Sequence, residues 1–150
     1  GICAVCLGES DDAVEAAITR DYPSADISRN DSDLAPWIEC FMKYFKGQDF
    51  PRDLPIDVQA TSFEWRVWKQ IQAVPRGSTT TYGNIARAIG MPDSFRAVAK
   101  ACATNPVSLI IPCHRVIGQD GSMRGYRWGK NRKKELLSLE RTNHNTSVDD

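Results

Sequence analysis

Apolar and polar positions follow different periods along this chain. Ile2-Cys-Ala-Val-Cys-Leu7 is a continuous apolar run of strand length and predicts a buried strand. Gly8-Glu-Ser10 turns the chain, and Ser10 stands where it would cap a helix over residues 11–20. A short extended piece is expected near Ala25–Ser28. Leu34, Trp37, Ile38, Phe41, Met42 and Phe45 recur at helical spacing, which predicts an amphipathic helix stopped by Gly47. Pro51 and Pro55 mark residues 48–58 as a connection between two lobes.

The second half is helical in pattern. Thr61-x-x-Glu64 is a capping box ahead of Phe63, Val67, Trp68 and Ile71. Two short helices follow, over about 82–89 and 93–103, broken by Gly90-Met-Pro92. Such a pair fits a helix-turn-helix, and equally an ordinary αα-hairpin. Ala97, Ala99, Ala101 and Ala103 make the second helix slender enough to approach another surface closely. Asn105-Pro106 closes it, and Val116-Ile117 with Gln119–Ser122 predicts a strand and a turn. A last helix is expected over 129–141, and a disordered tail over about 143–150.

Composition adds three constraints. The 150 residues are 41% hydrophobic and 25% charged, which suits a globular chain with a real core. No apolar run reaches the length of a membrane span. Net charge is zero but uneven: residues 1–56 hold 5 Lys/Arg against 11 Asp/Glu, and residues 57–150 hold 14 against 8. A basic second half fits a polyanionic partner, or a solvated surface with chance asymmetry. Five cysteines at irregular spacing, with no export signal, point to free thiols in a reducing cytoplasm. Cys3-x-x-Cys6 lacks a second Cys/His pair at metal spacing, so it is read as two thiols of a buried strand and no metal is assigned. The opening on Gly1 leads us to read the chain as a piece of a longer protein.

The candidate chemistry is Pro112-Cys113-His114-Arg115. A thiolate is the reactive form of cysteine and needs a base or positive surroundings near neutral pH. Sequence neighbours diverge, so a direct Cys–His hydrogen bond is awkward and a bridging water fits better. Taken alone, Cys113 is better explained as a buried inert thiol, and His114 as a structural histidine.

Ile111-Pro112-Cys113-His114-Arg115-Val116 resembles the signature hexapeptide of the O6-alkylguanine-DNA alkyltransferases. Its surroundings agree: Tyr82 before the first short helix, Arg96-Ala97-Val98 opening the second, Asn105-Pro106 after it, Gly125-Tyr126-Arg127-Trp128-Gly129, and Glu140. The resemblance runs from about Leu54 to Arg141, and Gly1–Gly8 looks like the start of the C-terminal half of the bacterial adaptive-response alkyltransferases. It implies an α+β fold in two lobes. Residues 1–56 would form a small, incomplete ribonuclease-H-like lobe, and residues 57–150 a mostly helical, winged-helix-like alkyltransferase lobe.

The resemblance also implies the activity and the roles. Cys113 would accept an alkyl group from O6 of guanine, and less so from O4 of thymine, once per molecule. His114 would take the thiol proton through a water and Glu140 would orient His114, although Glu140 on its own reads as a solvated helix charge. Asn105 would hold the turn that presents the site, although alone it reads as a helix cap. Tyr82 would hydrogen-bond to N3 of guanine. Arg96 would fill the gap left by a flipped base, with Ala97 beside it on a helix in the minor groove. Backbone groups of Cys113, Val116 and Arg127 would read the base edge, and Tyr126 would wall the pocket. No cofactor is implied, because the substrate supplies the group and the protein the acceptor. The expected partner is double-stranded DNA carrying O6-alkylguanine, met by a cytoplasmic monomer, with a regulatory DNA-binding half fused ahead of this chain in the intact protein. Alkyltransferase-like proteins carry tryptophan at the cysteine position, so Cys113 argues against that non-enzymatic class. A DNA-binding regulator without chemistry and a cysteine hydrolase are the rival classes.

Overall fold

The computed structural model describes the backbone of residues 1–148 and the side chains of residues 1–142. Six α-helices hold about half of the described residues: α1 (Asp11–Asp21), α2 (Asp31–Phe45), α3 (Ser62–Gln72), α4 (Tyr82–Ala88), α5 (Phe95–Ala103) and α6 (Lys130–Val148). Two short strands, β1 (Thr80–Thr81) and β2 (Val116–Ile117), pair in parallel with Thr80 opposite Val116.

Local sequence explains the helix starts. Ser10 accepts the Ala13 N–H at 3.1 Å and opens α1. The Thr61 hydroxyl accepts from the Glu64 N–H at 3.1 Å, while the Glu64 carboxylate accepts from the Thr61 N–H at 2.8 Å. Two otherwise orphaned donors at the start of α3 are thereby satisfied. The Thr81 hydroxyl accepts the Asn84 N–H and opens α4. Gly90, at φ 78°, takes the left-handed conformation that the turn between α4 and α5 requires.

The main core lies among α3, α4, α5 and the segment 107–116. Val67, Trp68, Ile71, Ile85, Ala86, Val98, Val107, Ile111 and Val116 are buried together there. The Trp68 indole N–H donates to the Ala101 carbonyl at 3.0 Å, so its polar edge is satisfied. A second cluster joins the two ends of the chain: Tyr44 of α2 packs with Leu109 and with Leu136 of α6.

Several expectations need correction. Ile2–Leu7 is not a buried strand; it makes two isolated bridges, Ile2 to Ile56 and Val5 to Val107, and Cys3 is exposed. An extended segment needs continuous neighbours to form a ladder, and these partners meet it at single points. No sheet therefore forms within residues 1–56 among the described residues, and the stretch near Ala25–Ser28 is irregular. The apolar stripe of α2 is also displaced from the core: Leu34, Ile38, Met42 and Phe45 are exposed, and Tyr44 is the residue buried. Helix α6 continues to Val148, past the start of the tail expected over 143–150; the side chains of those residues and the backbone of the last two lie outside the described residues. No described helix is long and apolar enough to cross a membrane.

Candidate active site

The reactive segment begins where α5 ends. Asn105 is buried and its side chain makes three contacts: Oδ1 accepts from the Val107 N–H at 2.9 Å, and Nδ2 donates to the Ile111 carbonyl at 2.8 Å and to Cys113 Sγ at 3.2 Å. Leu109, between them, sits at φ 72°, an unusual conformation for a residue with a Cβ. The turn is thus held open by a side-chain amide rather than by a sheet. Asn105 is not the cap of α5; that position is Thr104.

Cys113 opens a single turn of 3-10 helix, Cys113–Arg115, and is only 4% exposed. Burial pushes its thiol well above the ordinary value, and the Cys102 thiol beside it acts in the same direction; Asn105 and the Lys133 ammonium oppose them. At rest the sulfur is therefore a neutral thiol, and a base must act on it.

His114 follows it in the same 3-10 turn. Its ring is fully buried, and Nε2 lies 2.6 Å from Glu140 Oε1. Burial disfavours its charged form, outweighs the Glu140 carboxylate and lowers its pKa. The carboxylate partner makes Nε2 the protonated nitrogen and leaves Nδ1 with a free lone pair. Nδ1 is buried and has no hydrogen-bond partner among the described residues.

Glu140 is not a solvated helix charge but is fully buried. Burial works to raise its carboxyl, yet hydrogen bonds from His114 and Arg115 hold it down at about 2. Oε1 also accepts from the Tyr44 hydroxyl at 2.7 Å. Arg115, itself 1% exposed, donates Nε to Oε2 at 3.0 Å and Nη2 to Oε1 at 3.0 Å. Its remaining N–H groups reach Asp49 at 3.2 and 3.3 Å and the Val74 carbonyl at 2.8 Å. A buried guanidinium needs this many acceptors to offset its lost hydration.

A cleft of about 760 Å³ lies outside this group. Tyr82 and Arg87 of α4, Arg96, Ala99 and Ala103 of α5, and Arg124, Tyr126 and Arg127 are among the residues lining it. Four arginines and no acidic side chain give the cleft a positive face. Cys113 does not line it, but two lining residues feel the sulfur. Burial first, then the Cys102 and Cys113 sulfurs, push Tyr82 up to about 12, and Tyr126 is raised by burial and Cys113. Arg96 and Ala97 are exposed, and among the described residues Arg96 has no ion pair. Arg127 pairs with Asp21 and stacks over Trp128, whose indole N–H donates to Ser108 Oγ at 2.6 Å. The Val116 carbonyl accepts from Lys133 Nζ at 2.6 Å.

The fold thus brings Asn105, Cys113, His114 and Glu140 together, with Tyr82 and Tyr126 nearby and Arg96 on the outer rim. Sequence reasoning missed Tyr44, Asp49 and Lys133, and passed over Arg115 although it lies in the hexapeptide. A lysine amid an apolar helical stripe was the one available signal for Lys133, since a charge on a core face requires buried partners.

Comparison with known proteins agrees with this geometry. The family described as 6-O-methylguanine DNA methyltransferase, DNA binding domain, matches residues 62–142. The chain is 40% identical over 143 residues to the bifunctional transcriptional activator/DNA repair enzyme Ada of Escherichia coli, covering 95% of this chain and 40% of that protein. It therefore spans less than half the length of that relative. It is 40% identical over 121 residues to the methylated-DNA–protein-cysteine methyltransferase of Mycolicibacterium paratuberculosis, covering 81% of this chain and 73% of the relative. Among solved structures, Mycobacterium tuberculosis OGT in complex with DNA is 42% identical, with a TM-score of 0.69 over 73% of this chain and 68% of that one. On the family match and on relatives covered over most of their length, the chain belongs to the 6-O-methylguanine DNA methyltransferase family.

Proposed function

We propose that this chain repairs DNA by moving a methyl or other small alkyl group from O6 of guanine, and less readily O4 of thymine, onto Cys113. The observation that carries this is the buried series Asn105, Cys113, His114 and Glu140 behind an arginine-lined cleft. The names of the relatives, which describe a methylated-DNA–protein-cysteine methyltransferase and a DNA repair enzyme, support the same reading.

His114 Nδ1 takes the thiol proton through a bridging water, and Glu140 stabilises the imidazolium. The sulfur attacks the alkyl carbon. The S–C bond forms as the C–O6 bond breaks, and its electron pair passes to the guanine. Tyr82, a phenol that is protonated at neutral pH, donates a hydrogen bond at N3. The imidazolium returns its proton to solvent and the guanine anion takes one up, so that neutral guanine remains in the DNA. A thioether is not readily hydrolysed, so each molecule acts once and needs no cofactor.

A stacked base cannot align its O6 substituent with a buried sulfur, so the nucleotide is flipped into the pocket. Arg96 fills the gap it leaves, and Ala97 lets α5 approach the minor groove. Backbone groups of Cys113, Val116 and Arg127 read the base edge, and Tyr126 forms a wall. Asn105 positions the segment.

The finer organisation belongs to the same proposal. Residues 1–56 belong to a ribonuclease-H-like lobe and residues 57–150 to a winged-helix-like lobe holding the chemistry. The protein acts as a monomer in the bacterial cytoplasm, joined in its intact form to a regulatory DNA-binding half. The bifunctional name of the Escherichia coli relative supports that last point.

The test is intact mass and peptide mapping after mixing with duplex containing O6-methylguanine. One methyl group per molecule on the Cys113 peptide is expected, and none on Cys113→Ser, which should still bind duplex. Equal transfer by that variant would refute the proposal. Binding with no gain in mass would favour a regulator, and repeated turnover on an ester a hydrolase.

A further inference from the structure

The sulfur of Cys113 has a neighbour that the alkyl-transfer chemistry does not use. Cys102, on α5, packs against the buried cluster that holds Cys113, and its thiol acts on that of Cys113. Asn105 links the two residues, since its backbone N–H donates to the Cys102 carbonyl at 3.3 Å while its Nδ2 donates to Cys113 Sγ at 3.2 Å. Both sulfurs influence the protonation of the Lys133 ammonium and of the Tyr82 phenol. Cys102 is half-buried, and its neighbours on α5, Ala99 and Ala103, line the arginine cleft. Cys102 is thus the more accessible member of the pair, and Cys113 the buried one. The other three cysteines lie elsewhere: Cys3 and Cys6 near the amino terminus, and Cys40 on α2.

We propose that Cys102 and Cys113 form a redox-responsive dithiol, which a peroxide converts into an intramolecular disulfide that reversibly blocks the acceptor sulfur. In the first step Cys113 gives its proton through water to His114, its sulfur attacks one peroxide oxygen, the O–O bond breaks and the proton passes on to the leaving oxygen. Cys113 becomes a sulfenic acid, and the leaving oxygen departs as an alcohol or, from hydrogen peroxide, as water. In the second step the Cys102 sulfur attacks the Cys113 sulfur, the S–O bond breaks and a second water leaves. The two thiols lose two electrons in all, and the peroxide gains them. A dithiol reductant reverses the change. Without a partner thiol, a sulfenic acid meeting more peroxide goes on to the sulfinic acid, which thiols do not reduce. Cys102 therefore preserves an acceptor that works only once from destruction by oxidation.

The full chain, reduced and then exposed to a small excess of hydrogen peroxide, provides the test. Intact mass should show the loss of two hydrogen atoms, and a non-reducing peptide map should join the Cys102 and Cys113 peptides. Alkyl acceptance should be lost and then return with dithiothreitol. Cys102→Ala should accept alkyl groups normally when reduced, yet after peroxide should gain two oxygen atoms on Cys113 and stay inactive in dithiothreitol. Cys102→Ser serves if the alanine variant folds poorly. Oxygen gained on wild-type Cys113 without a linked peptide overturns the proposal. So does a link through Cys3, Cys6 or Cys40, or full recovery of the Cys102 variants. The linked-peptide readout needs no methylated DNA. A Cys102–Cys113 link in a protein that never takes up a methyl group would sink the alkyl-transfer reading and leave the dithiol standing.

Discussion

The side-chain amide of Asn105 donates to Cys113 Sγ at 3.2 Å across eight positions of sequence, from the end of α5 to the start of the 3-10 turn. The same amide donates to the Ile111 carbonyl, and its oxygen accepts the Val107 N–H. Asn105→Ala would leave the buried Val107 N–H unpaired, while the Ile111 carbonyl would keep only the Cys113 N–H as donor. An unsatisfied group costs about 1–3 kcal/mol. The expected result is a lower urea midpoint together with slower methyl acceptance from duplex DNA. Unchanged kinetics in a destabilised variant would confine Asn105 to a structural part.

Glu140→Gln tests the orienting carboxylate. The amide keeps the shape but removes the charge that faces His114 and Arg115. Breaking a buried pair from one side costs about 3–5 kcal/mol, and the surviving Asp49 contact should keep the loss at the low end. Transfer should fall by about 10²-fold, the lower range for loss of acid–base assistance. Rapid-quench transfer assays and urea unfolding measure the two effects separately.

The pH dependence follows from two buried groups that act in the same direction. Burial lowers the His114 pKa below its ordinary 6.5, so at falling pH the unfolded chain takes up a proton before the folded one does. Glu140 is held at about 2 against an ordinary 4.5, so the stability it contributes is present above 4.5 and is lost as pH falls towards 2. Stability should therefore decline on acidification from pH 6.5 downward, with no gain at any step. His114→Gln should remove the first part of the decline. Because the base must be neutral, the acid limb of the transfer rate should lie below 6.5. A limb at or above that value would contradict the buried, neutral imidazole.

Arg96 is exposed at the rim of the cleft, far from any role in holding the fold. Arg96→Ala should leave thermal stability within about 0.5 kcal/mol of the parent, as is usual for surface changes. It should weaken repair of duplex DNA more than reaction with free O6-methylguanine. Equal losses on both substrates would remove the gap-filling assignment.

Much of the helical frame was legible in the sequence because its signals are local. The Thr61–Glu64 capping box, the Ser10 cap and the break at Gly90 each involve residues within one turn of each other. The Cys113-His114-Arg115 segment was legible through its order of residues, and Glu140 only through resemblance. Contacts distant in sequence were not legible. Nothing near Tyr44 signals a hydroxyl that reaches Glu140, and nothing near Asp49 signals Arg115. The helical period of α2 was read correctly, but period alone does not say which face is covered. Leu34, Ile38, Met42 and Phe45 match an apolar stripe and remain exposed. For Ile2–Leu7 apolar content indicated burial, but a strand also needs neighbours, and the chain brings only Ile56 and Val107.

Arg115 draws on three stretches of the chain at once: Asp49 before the proline-bounded connection, Val74 after α3, and Glu140 near the other end. The carboxylate that readies His114 is thus moored partly by residues that the 62–142 family region does not contain. Proteolytic nicking beside Arg52 would leave every atom of the acceptor segment intact and still loosen that mooring.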